Sequence, residues 1–161
     1  IVELTESLLI DALDKTAATL TSLRDMGIEV AIDDFGTGYS TFKLLKRVPV
    51  DILKIDQMFI ADLSDNPADK AIAKAIIDVA HALHMRVVAE GVESKAHLTT
   101  LQELGCDSIQ GFYLSEALPR TGISKLLREG IPGITKQRTN ADIEETKRKI
   151  AEQEKQRLVS A

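Results

Sequence analysis

The sequence predicts an α/β fold in which successive βα units wind a parallel sheet, the arrangement of a βα barrel. Three observations carry this. Short β-branched runs recur at residues 1–4, 29–33, 51–56, 86–90 and 108–114, with helix-like stretches and short joins between them; that alternation builds a parallel sheet. The runs at 52–55 and 87–89 are nearly continuous in apolar residues, as strands covered on both faces should be. Polar residues collect at the C-terminal ends of the runs, where a βα barrel places its active site.

Taken in order, residues 1–4 form the first strand and carry Glu3, and residues 8–26 read as a long helix closed by Gly27. Asp33 and Asp34 end the second strand. A shorter helix, 39–47, stops ahead of Pro49. Lys54 and Asp56 close the third strand. The helix at 68–85 spaces Ile72, Ile76, Val79 and Leu83 along one face, with Pro67 set for its first turn. Glu90 closes the fourth strand, residues 96–104 form a helix ended by Gly105, and Gln110 lies in the fifth strand. A last helix, 123–129, ends at Gly130.

Composition narrows the class. The chain has 161 residues, 44% hydrophobic and 28% charged, which excludes a disordered or collagen-like chain. No apolar run approaches the roughly 18 residues of a membrane-spanning helix, and Glu3 and Glu6 interrupt any signal-peptide core at once. The single cysteine, Cys106, cannot form an internal disulfide, so a reducing, cytoplasmic setting is expected, in a free protein or in the cytoplasmic part of a membrane-anchored one. Net charge is −5 with no basic stripe, which disfavours duplex nucleic acid as a partner.

The character changes after Gly133. Residues 134–139 read as a linker and 140–161 as a charged helical tail, with Asn140 as its cap and Glu144/Arg148 and Glu145/Lys149 as supporting pairs. Seven basic and five acidic residues beyond residue 133 leave the body at −7, a poor host for an anion unless cations intervene.

Each strand-end carboxylate taken alone reads first as a cap or turn residue. Together they read differently, because carboxylates crowded in one cavity repel and resist desolvation unless something cationic joins them. Glu3, Asp33, Asp34 and Glu90 with Lys54 at one mouth therefore suggest divalent metal. Asp33 and Asp34 are adjacent, and two such carboxylates can reach two neighbouring ions, one of them bridging. Lys54 has a second reading, as the structural ion-pair partner of Asp56 two residues on.

The block Asp33-Asp34-Phe35-Gly36-Thr37-Gly38-Tyr39-Ser40 is too short of glycines for a nucleotide fingerprint. With its neighbours it acquires a family. Glu3-Leu4-Thr5-Glu6-Ser7, the Asp33 block, Leu53-Lys54-Ile55-Asp56, Val88-Ala89-Glu90-Gly91-Val92-Glu93, and Leu104-Gly105-Cys106-Asp107 leading to Gln110-Gly111 resemble, in order and interval, successive motifs of the EAL-domain family. The resemblance implies a TIM-type (β/α)8 barrel of which about the last five βα units are present. It implies a phosphodiesterase that hydrolyses cyclic di-GMP to linear pGpG with two divalent cations, Mg²⁺ or Mn²⁺.

By the same resemblance Glu3, Asp33 and Asp34 are metal ligands, Lys54 contacts the attacking water or the phosphate, and Glu90 is the essential acidic residue, as general base or as a contact of the second metal. Gln110, Glu93 and Asp56 belong to the water and substrate network, and Glu6 anchors the loop carrying Asp34. A homodimer and fused upstream domains, sensory or diguanylate cyclase, are the implied protein partners. Residues 1–133 are then the C-terminal portion of the domain. The naming Glu-Ala-Leu motif and the asparagine strand that follows it have no counterpart here, since Glu116-Ala117-Leu118 lies after the Gln110 strand. The expectation is a longer parent protein: a barrel takes about 250 residues. A non-hydrolysing cyclic di-GMP receptor and a half-barrel that only pairs with a partner are the alternatives.

Other residues attract structural readings. His81, His84 and His97 are expected at solvent or in packing, and Cys106 packed and unreactive for want of a basic neighbour. Phe35, Phe42 and Phe59 are expected in the core or an interface. Phe112 and Tyr113 are expected to alternate on the fifth strand, chiefly as core residues, although one of them could approach a guanine.

Overall fold

The computed structural model describes residues 1–5, 13–37 and 45–131. Most of the predicted helix at 39–47 falls outside them, and Glu6, Phe42, the glycine-loop residues 38–40 and the linker and tail fall outside entirely. Strands β1 (Val2–Thr5), β2 (Val30–Phe35), β3 (Ile52–Ile55), β4 (Arg86–Ala89) and β5 (Ser108–Ile109) form one sheet in the order β1-β2-β3-β4-β5, every neighbouring pair parallel. Helices α1 (Leu13–Asp25), α2 (Pro67–Ala82) and α3 (Lys95–Leu104) lie between strands, and a 3₁₀ turn, Gln57–Phe59, follows β3. Sequential order without reversal is the winding of a βα barrel and not of a doubly wound sheet. The chain divides into two compact units, Ile1–Glu116, which holds the sheet, and Ala117–Ala161. The described part of the second contains α4 (Arg120–Glu129), ended at Gly130 with φ +81°.

Local chemistry sets the helix ends. Asn66 caps α2 by accepting the Ala68 N–H at 2.9 Å, with Pro67 in the first turn. Ser94 caps α3 by accepting the His97 N–H at 3.1 Å, and Gly105 ends it at φ +84°. No helix among the described residues is long and apolar enough to cross a membrane.

The two faces of the sheet do different work because side chains alternate along a strand. Val30 and Ile32, Leu53 and Ile55, and Val87 and Ala89 join the core with Leu20 of α1, Ala73, Ile76, Ile77 and Ala80 of α2, and Leu101 and Leu104 of α3. The opposite face carries Glu3, Asp33 and Lys54, and the same alternation continued past β4 and β5 puts Glu90 and Gln110 with them. Register staggers these positions along the strands: Glu3 pairs with Ala31, two residues before Asp33, and Lys54 with Val88, two residues before Glu90.

Two expectations are corrected. The buried stripe of α2 is Ala73, Ile76, Ile77 and Ala80, while Ile72 is 40% exposed; the fully buried alanines let the helix approach the sheet closely, so the stripe is turned from the one the large residues suggest. The fifth strand is short. Pairing ends near Gln110, whose N–H donates to Ala89 O at 2.8 Å, and the chain then turns, with Leu114 N–H donating to Gly111 O at 3.0 Å.

Gly111 is what allows that turn. A Cβ there would sit 2.3 Å from both the N and the O of Val92, and those same atoms bond Gln110 O at 3.0 Å and Tyr113 N–H at 2.9 Å. Backbone cannot give way as a flexible side chain can. Gly111→Ala is expected to cost at least about 2 kcal/mol, measured by urea unfolding of the full-length protein, whereas Gly27→Ala, where nothing lies within 4 Å, meets only its φ of +78° and costs about 1 kcal/mol.

Candidate active site

Lys54 is the centre of the functional face. Its side chain is 8% exposed, and its Nζ lies 2.6 Å from Asp33 Oδ1, 2.8 Å from Glu90 Oε1 and 3.3 Å from Glu3 Oε2. Burial by itself would depress its pKa. The hydrogen bonds and charges of Asp33 and Glu90 outweigh burial and hold the ammonium above the ordinary lysine range. The second reading, a pairing with Asp56, is not found: the ion-pair partners of Lys54 are Glu3, Asp33 and Glu90. Asp56 lies beyond the end of β3, where its Oδ1 accepts the Met58 N–H at 2.7 Å and caps the 3₁₀ turn, and its carboxylate also reaches Asp34.

Adjacent residues in a regular strand point to opposite faces, yet Asp33 and Asp34 converge. The β2–β3 register shifts between Ile32 and Phe35, and Asp34 has φ +53°. The irregularity re-aims the second carboxylate, so that one oxygen each from Asp33, Asp34 and Glu90 lie within 4.8 Å of one another. Burial, the neighbouring charges of Asp33 and Asp56, and a hydrogen bond with Asp56 together raise the Asp34 pKa against the opposing pull of Lys54. An all-carboxylate donor set suits a hard divalent cation such as Mg²⁺ or Mn²⁺. Gly36 presses on the aromatic ring of Phe59, where a Cβ would come within 2.4 Å.

Beside the carboxylates opens a cleft of about 300 Å³ lined by Asp34, Asp56, Gln57, Glu90, Gly91, Glu93, Gln110, Gly111 and Phe112. The structure thus brings together the sequence-predicted Glu3, Asp33, Asp34, Lys54 and Glu90, and sets Asp56, Glu93 and Gln110 on the adjoining wall. Glu6 lies outside the described residues. Gln57, Gly91 and Phe112 are wall residues the sequence reading did not assign to the site. Phe112 is not core: it is 69% exposed on the turn after β5, while Tyr113 packs partly buried against the core. Its position directly after Gln110-Gly111 was the available signal.

The remaining candidates are structural. His81 Nε2 lies 2.8 Å from Asp107 Oδ2, which also accepts the Val87 N–H at 2.8 Å. Burial pushes the Cys106 thiol pKa up, and its Sγ donates to Ser108 O at 3.2 Å, consistent with an unreactive cysteine.

The family model described as EAL domain matches residues 1–117. The chain belongs to the EAL-domain family. It is 44% identical over 126 residues to the cyclic di-GMP phosphodiesterase NbdA of Pseudomonas aeruginosa, covering 78% of this chain and 16% of that protein. Among solved structures it resembles the EAL domain of Mycobacterium smegmatis DcpA, with TM-score 0.76 and 46% identity over 80% of this chain and 58% of that one. It also resembles a manganese and cyclic di-GMP complex of Klebsiella pneumoniae BlrP1, with TM-score 0.66 and 37% identity over 71% and 29% of the two chains. The chain spans about a sixth of the length of the curated relatives it matches, 16% in NbdA. These neighbours have the TIM-barrel type of fold, and the five-stranded parallel sheet corresponds to part of it.

Asp34 carries two costs in one residue: a left-handed backbone and like charges on both sides. A group whose pKa is raised on folding is stabilised when neutral, so its charge counts against the fold as pH rises through its range. Asp34→Asn removes the charge and suits positive φ. The variant is expected to unfold at a higher temperature than the parent in EDTA at pH 7 and to lose most of the further rise given by Mn²⁺, both read by differential scanning calorimetry.

Proposed function

We propose that this chain is the C-terminal part of a phosphodiesterase domain that hydrolyses cyclic di-GMP to linear pGpG. The observation that carries the reading is the convergence of Glu3, Asp33, Asp34 and Glu90 around the buried Lys54, beside a cleft walled by Gln110 and Glu93. Two divalent cations, Mg²⁺ or Mn²⁺, when held by Glu3, Asp33 and Asp34, neutralise phosphate charge and supply hydroxide from bound water near neutral pH. The manganese and calcium complexes of BlrP1 with cyclic di-GMP support divalent cations at such a site.

The chain's own groups divide the remaining work. Lys54 is a compact, fixed cation able to pair with a nonbridging phosphate oxygen or to hold the attacking water. Glu90 faces the cleft with one oxygen on Lys54 and is placed to accept the proton of that water. Gln110, Glu93 and Asp56 offer hydrogen-bonding groups along the wall and orient the substrate. The exposed ring of Phe112 offers a flat apolar face to a purine base. Homodimerisation, fused upstream domains and a cytoplasmic setting go with the reading; a bifunctional diguanylate cyclase and cyclic di-GMP phosphodiesterase, MucR of Pseudomonas aeruginosa, is among the relatives.

The test is incubation of the full-length protein with cyclic di-GMP and Mg²⁺, following pGpG by chromatography. Turnover is expected to require the cation, and Asp33→Ala or Glu90→Ala to reduce kcat by at least about a hundredfold. Substantial turnover in EDTA would refute two-cation chemistry. Phe112→Ala is expected to raise KM by roughly tenfold, the worth of one stacked base, with kcat little changed.

A further inference from the structure

Lys54 meets its three carboxylates through a single oxygen of each: Glu3 Oε2, Asp33 Oδ1 and Glu90 Oε1. These come from β1, from β2 and from the residue after β4, stretches far apart in the chain. Strand alternation turns them to one face, and the buried ammonium lies within ion-pairing distance of all three. Every carboxylate has a second oxygen to offer, and Asp33 and Glu90 already stand with Asp34 inside the 4.8 Å cluster. A carboxylate shared by two cations divides its charge between them, and the cations, one carboxylate apart, repel.

Resting on the two-cation reading above, we propose that Lys54, beyond its contact with phosphate or water, has two opposed effects on the cation site: it preassembles the acidic cluster, and it weakens divalent-cation binding by occupying the same carboxylates. The lysine is then a built-in rival of the metal. The site is kept in shape by a charge that also keeps the metal exchangeable, so occupancy follows the concentration of free cation. The coupling is reciprocal, because two ligands of one carboxylate set must weaken each other equally.

Lys54→Met keeps the length of the side chain and removes its charge. In the full-length protein, Mn²⁺ binding is measured by isothermal titration calorimetry, and the unfolding temperature is measured in EDTA and in saturating Mn²⁺. The variant is expected to bind Mn²⁺ roughly tenfold more tightly or better, to unfold at a lower temperature in EDTA, and to gain more from Mn²⁺ than the parent does. Unchanged or weaker Mn²⁺ affinity overturns the proposal, since a lysine that only shapes the site would take metal binding away with it. Should the variant not fold in EDTA, refolding in Mn²⁺ becomes the readout: recovery of the native circular dichroism spectrum supports the rivalry, and failure to recover overturns it. A parent protein that binds no Mn²⁺ sinks the two-cation reading itself, an outcome visible before any variant is made.

Discussion

The arrangement depends on one buried ammonium. Glu3, Asp33 and Glu90 would repel one another at the mouth of the sheet, and Lys54, 6% exposed, stands among them within ion-pairing distance of all three. Removing one partner of a buried ion pair typically costs about 3–5 kcal/mol, because the charges left behind have no compensation. Here a single residue serves three, so the first, second and fourth strands are tied to the third at their C-terminal ends by charge as well as by backbone ladders.

Strand periodicity supplies most of the convergence, and local irregularity supplies the rest. Alternation puts Glu3, Asp33 and Lys54 on one face without special geometry, with Glu3 paired to Ala31, two residues before Asp33. Asp34 cannot join them that way. It arrives through the irregular β2–β3 pairing and its positive φ, conformational costs that a simple strand end would not carry. Glycine plays a matching part on the wall: Gly91 lies against Gln57, where a Cβ would meet the Gln57 Cβ at 2.5 Å, and Gly111 lies against the backbone of Val92. The cleft is narrow-walled because the chain is bare at those two points.

These features explain what could be read from the sequence. Strand-end carboxylates were legible because period-2 alternation is local, and the sheet order followed from βα alternation. The α2 face was misread where alanine, not isoleucine, makes the contact. Phe112 was misplaced because an aromatic after a β-branched run looks like strand, and only the approach of Gly111 to Val92, a contact between distant residues, shows that the chain turns there. Lys54 and Asp56 are two apart, which leaves an ion pair between them open as a second reading. The end of β3 and the capping of the Met58 N–H intervene, and neither is visible in spacing.

The opposite ends of the strands show why position alone does not make a carboxylate functional. Asp51 and Asp107 each stand immediately before a strand, and each reaches across to the neighbouring one. Asp51 Oδ2 accepts the Val30 N–H at 3.0 Å while its Oδ1 pairs with Arg24 at 3.0 Å. Asp107 Oδ2 accepts the Val87 N–H at 2.8 Å and meets His81 at the same distance. Each of these carboxylates has both a backbone donor and a basic side chain of its own, and acts as a staple between strands. At the C-terminal ends partners are shared: among the described residues Asp33, Glu90 and Glu3 meet one lysine, and Asp34 reaches Asp56, which also accepts the Met58 N–H. The same side chain is a staple where it has partners of its own and is open to chemistry where it shares them. In this sheet that difference separates one end of the strands from the other.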